Sequence, residues 1–391
     1  MTHTSATTQH ASFRGTDGHE LPPWLRMQRS IFNESMAHCR RMAHLPQLYA
    51  KMTQIPKGVT PSDVVYEADR LRLLRYRPQG PIRFKTPLVF VFALVNRPYI
   101  LDILPNKSVV SHFVRAGFDT YLIDWGKPTY ADRHLGFDAY VNGYLRNVVR
   151  FLQRSSGSRQ VNILGYCMGG TMSSILAALH PQLVRNLILL ATGIDFSTRE
   201  GLLNIWNDAH NFDVDSFVDA FGNCPAEYLQ ACFLMLKPVR SFVTKPVSLY
   251  EKLDDKKYVE EFLTMETWLN DNVPVSGQIF REFVKYLYQQ NQLAQNRLVV
   301  GRRTVNLKNI TCPVLNLMAD HDDLVPPSQS EPFNDLTGSQ DKETIRLAAG
   351  HIGLAMGSAA QKQLWPHAVD WLARRSEVVE EEEPTVRPSG S

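Results

Sequence analysis

Eight consecutive residues constrain this chain most: Leu164-Gly165-Tyr166-Cys167-Met168-Gly169-Gly170-Thr171. They join a short apolar run of strand character, Val161–Leu164, to a segment of helical character. A strand passes directly into a helix only through a very tight turn. Side chains at Gly165 or Gly169 would collide with their neighbours there, and the residue at the tip takes a strained backbone. The pattern is a G-x-S-x-G nucleophile elbow with Cys in the place of Ser. The helix starting at Met168 offers free N–H groups, and its positive end favours both a thiolate and a developing oxyanion. Alone, G-x-C-x-G says little, since Gly and Cys pack together in many cores. Between a strand and a helix it points to a catalytic Cys167.

Such an elbow has its partners later in the chain, first an acid and then a His, each after a strand. The strand-like run Pro313–Met318 is followed by Ala319-Asp320-His321-Asp322-Asp323-Leu324-Val325-Pro326. The strand-like run Thr344–Leu347 is followed by Ala348-Ala349-Gly350-His351-Ile352-Gly353. His351, flanked by Gly350 and Gly353, sits where a loop can turn an imidazole toward the elbow. Asp320, Asp322 and Asp323 compete for the acid role, and Asp195, just after the run Val184–Ala191, is a fourth candidate. Asp322 is chosen because Val325-Pro326 in D-x-x-V-P restarts ordered structure after the acid turn.

Continuous apolar runs at Pro87–Leu94, Thr120–Trp125, Val161–Leu164 and Val184–Ala191 read as strands buried on both faces. Phe137–Leu152 carries a helical stripe, and a last helix is expected over Ala359–Arg374. The alternation gives a mostly parallel sheet with helices on both faces, which with the elbow makes an α/β-hydrolase fold. Its core is expected over residues 61–195 and 306–375. The block 196–305 has helix-like segments at Val214–Phe221, Ala226–Leu236 and Tyr258–Leu269 and no clear buried strand. An insertion of that size is expected to be a helical cap over the site. Residues 21–60 form an N-terminal helical segment, with Trp24, Met27, Ile31, Phe32, Met36 and Cys39 at helical spacing and Arg26, Arg29, Arg40 and Arg41 among them. Packing on its own domain is slightly preferred for this helix over a surface for a partner or an apolar particle. Residues 1–20 and 376–391, the latter with the run Glu380–Glu383, read as disordered ends.

Composition closes off several classes. Lys+Arg 42 against Asp+Glu 39 leaves +3, which gives no electrostatic case for nucleic acid. The longest apolar run, Pro87–Val95, is about half the ~20 residues of a membrane span. No signal peptide is visible at the N-terminus. Cys39, Cys167, Cys224, Cys232 and Cys312 are odd in number and contain no C-x-x-C, which fits a reducing cytoplasm and argues against a disulfide framework or a cysteine zinc site. With no P-loop, G-x-G-x-x-G or H-E-x-x-H, no metal and no nucleotide or redox cofactor is expected.

A resemblance now becomes visible. Ala93-Leu94-Val95-Asn96-Arg97-Pro98-Tyr99-Ile100 with Tyr121-Leu122-Ile123-Asp124-Trp125-Gly126 resembles the polyhydroxyalkanoate synthase family. So do Gly165–Thr171, Ala178-Leu179-His180-Pro181 with Val184-Arg185-Asn186-Leu187, and Gly350-His351-Ile352-Gly353. The match runs over about residues 60–375. The short length, Leu94-Val95-Asn96-Arg97-Pro98-Tyr99 and Val325-Pro326-Pro327 resemble the two-subunit class III type, and Gly165-Tyr166-Cys167-Met168-Gly169-Gly170-Thr171 also resembles class IV.

The resemblance implies polymerisation of (R)-3-hydroxyacyl-CoA, short-chain 3-hydroxybutyryl-CoA in the first place, into a polyester with release of CoA. Cys167 would hold the chain as a thioester, His351 would be its base and Asp322 the acid. The family usually has His after that Asp; here Asp323 stands there, with His321 on the other side, so how the acid is oriented is left open. A Cys suits this chemistry, because a thiolate attacking an acyl-CoA exchanges one thioester for another and the acyl group stays reactive toward a hydroxyl. The oxyanion donors would be the backbone N–H groups of Met168 and, from the loop after Leu94, Val95. Also implied are a second synthase subunit of class III or class IV type, a homodimer, and a cytoplasmic location at the polyhydroxyalkanoate granule surface. Trp268 and Asp271 are expected in a cap segment that moves when the site opens. Two other readings compete. A dienelactone-hydrolase-like or thioesterase-type cysteine hydrolase would release free acid, and a non-catalytic granule coat protein would bind polymer without turnover.

Overall fold

Alternate residues of the apolar runs are needed on opposite faces of one sheet. In the run Leu88–Val91, Leu88 and Phe90 enter one apolar layer and Val89 and Val91 the other. Residues 57–379 are described by the computed structural model, together with residue 55 and helical residues 27–30, 32–33 and 35–36. The strands are β1 Ser62–Ala68, β2 Leu71–Tyr76, β3 Phe84–Val91, β4 Phe118–Asp124, β5 Val161–Tyr166, β6 Val184–Leu190, β7 Val314–Ala319 and β8 Lys342–Leu347. Their order in the sheet is β1-β2-β4-β3-β5-β6-β7-β8. The pairs β1–β2 and β2–β4 are antiparallel and every other pair is parallel.

Helices α1 (Val109–Ala116), α4 (His351–Met356) and α5 (Trp365–Ala373) line one face, where Phe113, Leu354, Trp365 and Trp371 are fully buried. On the other face α2 (Arg146–Ser156) and α3 (Met168–Leu179) bury Val148, Leu152, Ile175 and Leu176. Each of the two long helices expected from the sequence changes pitch along its length. Asp138–Leu145 is a π-helix that runs into α2, and Ala360–Leu364 a π-helix that runs into α5. Pro366 lies where the π-helix passes into α5, so the N–H it lacks falls at the change of pitch.

Three features differ from what the sequence pattern suggests. The antiparallel strands β1 and β2 have no counterpart among the apolar runs. Residues 376–379 are not a free tail: Lys85 N donates to Glu377 O at 2.9 Å and Val379 N to Arg83 O at 2.8 Å. Pairing of β3 with β5 begins only at Leu88, so these backbone groups at the start of β3 need another partner. The inserted block also holds a small antiparallel hairpin, Val299–Val300 with Arg303–Thr304.

Within residues 196–305, helices form at Val214–Phe221, Ala226–Leu236, Lys256–Leu269 and Gly277–Glu282. The first starts at the cap Asp213, whose side chain accepts from Ser216 N. The chain divides into two compact units, Pro56–Ser241 with Thr264–Ser391, and Phe242–Leu263 with the chain before Pro56. Residues 196–305 are therefore shared between the units. In the smaller one, Leu253, Val259 and Leu263 form a local apolar cluster. Of the N-terminal helix, Met27, Phe32 and Met36 are exposed, whereas Trp24, Ile31 and Cys39 lie outside the described residues, as do residues 1–20 and 380–391. No helix among the described residues is long and apolar enough to cross a membrane.

Candidate active site

The elbow is as tight as its glycines require. Strand β5 ends at Tyr166, α3 starts at Met168, and Cys167 between them has φ 54° and ψ −124°. A non-glycine residue held there costs on the order of 1–3 kcal/mol and persists only where its surroundings over-determine it. Here they do: Cys167 N donates to Leu190 O at 2.9 Å, and Cys167 O accepts from Gly170 N and Thr171 N. A Cβ on Gly165 would lie 2.5 Å from Gly170 Cα, and one on Gly169 would lie 2.0 Å from Val91 O. Gly170, not singled out from the sequence, is as constrained, with its Cβ position 1.9 Å from Thr192 Oγ1. The Cys167 side chain remains partly exposed.

Strands β7 and β8 run parallel with Ala319 opposite Leu347, so the loops after them leave the sheet side by side. They bring Asp322 and His351 together, with Asp322 Oδ2 2.7 Å from His351 Nδ1. The Asp322 side chain is fully buried, and its Oδ1 accepts from Leu324 N and Val325 N, each at 2.9 Å. The other acids are engaged elsewhere. Asp320 pairs with Arg346 at 2.8 Å, Asp323 with Lys237 at 2.5 Å, and Asp195 accepts from Ser197 and Asn291. His321 joins the loops through its backbone N–H, which donates to Ala349 O.

With Nδ1 on Asp322, Nε2 is the imidazole nitrogen left to face Cys167, whose charge acts on the ring. Burial by itself disfavours an imidazolium. The charges of Asp322 and Cys167, with the hydrogen bond to Asp322, outweigh it and push His351 up to about 10.

Two tyrosines that the sequence pattern does not mark belong to this site. Tyr166 O–H donates to His351 O at 3.0 Å, and its ring stacks on the imidazole at 5.0 Å and 23°. Tyr288, from the π-helix Phe283–Gln289, feels both Cys167 and Asp322, and burial with those two charges drives its phenol well above the usual range. Tyr166 is the unspecified position of the elbow motif, and Tyr288 lies in an unremarkable amphipathic stretch.

Met168 is the first residue of α3, where a backbone N–H has no partner within the helix. Val95 lies in the loop after β3, and its carbonyl accepts from Val273 N at 3.3 Å. That loop is clasped by the segment around Trp268 and Asp271. Trp268 Nε1 donates to Arg97 O at 2.8 Å, Tyr99 O–H to Asp271 Oδ2 at 3.1 Å, and Asn96 bridges to Asn272 through backbone and side chain. Arg97 and Lys57 add ion pairs to Asp271, and Arg97 also reaches Asp124. A cavity of about 390 Å³ beside the clasp is lined by Lys57, Arg72, Arg97, Tyr99 and Asp124 and by none of the Cys167, Asp322 and His351 trio. Among the described residues, no three His, Cys, Asp or Glu side chains gather as a metal-ion cluster.

A nucleophile on a strained strand-to-helix elbow, with an acid and a His on later parallel strands, defines the α/β-hydrolase class. Residues 87–356 match the alpha/beta hydrolase fold family. Residues 51–113 match the N-terminal family of poly-beta-hydroxybutyrate polymerase (PhaC). The chain is 42% identical to the poly(3-hydroxyalkanoate) polymerase subunit PhaC of Allochromatium vinosum, over 88% of this chain and 97% of that protein. It is also 42% identical to the subunit of the same name from Haloferax mediterranei, over 92% of this chain and 73% of that protein. The Synechocystis protein of that name is 37% identical over 82% of this chain and 86% of its own length. The chain belongs to the poly(3-hydroxyalkanoate) polymerase PhaC family.

Proposed function

We propose that this chain is the catalytic subunit of a poly(3-hydroxyalkanoate) polymerase in which Cys167 carries the acyl chain. The observation that carries this reading is Cys167 at the elbow, electrostatically coupled to an imidazole whose Nδ1 rests on buried Asp322, within a chain of this family.

His351, held by Asp322, takes the proton of Cys167, so that a thiolate faces an imidazolium. The thiolate attacks the carbonyl carbon of a 3-hydroxyacyl-CoA. The backbone N–H groups of Met168 and Val95 receive the oxyanion. As the C–S bond to CoA breaks, His351 delivers its proton to the CoA sulfur and becomes neutral. Neutral His351 then takes the proton of an incoming 3-hydroxyl as that oxygen attacks the Cys167 thioester. An oxoester forms, the thiolate leaves, and the thiolate–imidazolium pair is restored. The next thioester exchange with the extended acyl-CoA returns the chain to Cys167 and frees one CoA. Short-chain 3-hydroxybutyryl-CoA is the substrate to test first.

The finer assignments belong to the same proposal. The enzyme works at the surface of polyhydroxyalkanoate granules, as a homodimer and with a second subunit of class III or class IV type. The segment Trp268–Asp271 moves when the site opens, and a partner that binds the open form better shifts that balance. A ~100-fold activation corresponds to about 2.7 kcal/mol of differential binding. The test is CoA release from 3-hydroxybutyryl-CoA by the purified chain, with and without a partner subunit. Polymer with CoA is expected, and free 3-hydroxy acid would favour a hydrolase instead. Full activity of the lone chain without a lag, unchanged by either partner, would remove the second subunit from the account.

A further inference from the structure

We infer that Tyr166 is a positioning residue for His351: its ring face supports the imidazolium, and its hydroxyl fixes the backbone from which that imidazole projects. The inference rests on the Cys167–His351 pair proposed above and adds a third support to it.

Three neighbours of His351 are identifiable. Asp322, from the loop after β7, holds Nδ1, and Cys167, from the elbow, is the charge coupled to the ring beyond it. Neither fixes the tilt of the ring about the line joining the two nitrogens. Tyr166 does, because its ring lies against the imidazole at 5.0 Å with only 23° between the planes. Tyr166 cannot swing away, being 2% exposed and met edge-on by Phe92 at 5.4 Å. The hydroxyl closes the arrangement by donating to His351 O at 3.0 Å. Because Tyr166 immediately precedes Cys167 at the end of β5, one strand sets the positions of the nucleophile and of the surface under its base.

The chemistry follows from the ring's quadrupole. An aromatic face attracts a cation, more strongly when both are out of water, so the stack favours imidazolium over neutral imidazole. In a Cys–His pair, whatever favours the imidazolium also favours the thiolate. The ionisable groups around the pair are Asp322, Tyr166 itself, and Tyr288 from the inserted block. Asp320 and Asp323 are held in pairs with Arg346 and Lys237. Tyr166 contributes no charge of its own, since burial and the nearby Cys167 and Asp322 charges keep its phenol protonated.

The test uses the full chain and needs no polymer. Alkylation of Cys167 by iodoacetamide is followed against pH, with the adduct located by peptide mass spectrometry, in the native chain, Tyr166→Phe and Tyr166→Met. The native chain's alkylation limb is the reference for the variants. Tyr166→Phe keeps the ring and should leave the limb within about 0.3 pH unit, while CoA release slows about 3- to 10-fold at unchanged KM as the hydroxyl anchor is lost. Tyr166→Met removes the aromatic face and should move the limb up by about one pH unit, a roughly tenfold slower alkylation on the limb. Should Tyr166→Met fold poorly, ring-fluorinated phenylalanines at position 166 keep the shape and weaken the face stepwise, and the limb should climb with each fluorine. A limb that stays in place through that series overturns the inference and leaves the Cys167–His351 pair standing. A His351→Ala variant that alkylates along the same limb as the native chain overturns the pair, and the inference with it.

Discussion

Replacing Asp322 by Asn tests the site through one atom. The introduced amide would keep a side-chain oxygen for the Leu324 and Val325 N–H groups, so the loop should hold. Its Nδ2 would then face His351 Nδ1, where Asp322 Oδ2 now sits at 2.7 Å. An N–H aimed at Nδ1 makes that nitrogen an acceptor and puts the imidazole's proton on Nε2, toward Cys167. That tautomer cannot accept a proton from the sulfur side. The charge is lost as well: opposite unit charges about 4 Å apart at an effective dielectric of about 20 attract by about 4 kcal/mol. Because the Asp322 side chain has no exposure, solvent does not screen that loss. Four kcal/mol is about a thousandfold in rate, so CoA release should fall by ~10²–10⁴. Asp320→Asn and Asp323→Asn break only exposed pairs with Arg346 and Lys237, each worth about 0–1 kcal/mol, and should leave turnover nearly unchanged. Steady-state CoA release by the three purified variants, with melting curves to show that each is folded, makes the comparison. An Asp320→Asn loss as large as that of Asp322→Asn would refute the reasoning.

Cys167→Ser should lose most of the rate, because an alcohol is a poor nucleophile near neutral pH and its ester a poor acyl donor; near-native turnover would contradict this. Gly169→Ala puts a methyl group 2.0 Å from Val91 O, backbone that cannot step aside, and thermal melting should show a loss of about 1–3 kcal/mol or more. Asp271→Asn weakens the clasp on the loop that carries Val95; CoA release should fall while iodoacetamide alkylation of Cys167, which needs no oxyanion donor, stays unchanged. The His351 pKa is raised in the fold, so its contribution to stability is complete below about 6.5 and is lost as pH rises toward about 10. Denaturant titrations should show the native chain losing its advantage over Asp322→Asn across that window.

Legibility followed burial. The strands β3 to β7, buried on both faces, announce themselves as continuous apolar runs within a few residues of where they form. Strands β1 and β2 carry Asp63, Glu67, Arg72 and Arg75 among their apolar residues and have none of that signature. Val214–Phe221 and Ala226–Leu236 are visible because Asp213 and Pro225 mark their starts. Cys167, Asp322 and His351 are legible because each follows a parallel strand, β5, β7 and β8 in turn, a property of chain order alone. Tyr166 and the Asn96–Asn272 bridge depend on side chains meeting across 185 and 176 positions of sequence, which no local pattern encodes. Lys237, which engages the Asp323 that stands where the family usually has His, is equally out of sight.

The central claim is that the acyl chain rides on Cys167 as a thioester. Rapid mixing of the enzyme with one equivalent of 3-hydroxybutyryl-CoA, an acid quench and peptide mass spectrometry tests it directly. One CoA should be released per hydroxybutyryl group found on the peptide that contains Cys167, and the adduct should be cleaved by hydroxylamine. Cys167→Ala should release no CoA and carry no adduct. An adduct on Cys224, Cys232 or Cys312, or polymer formed by Cys167→Ala, would contradict the account.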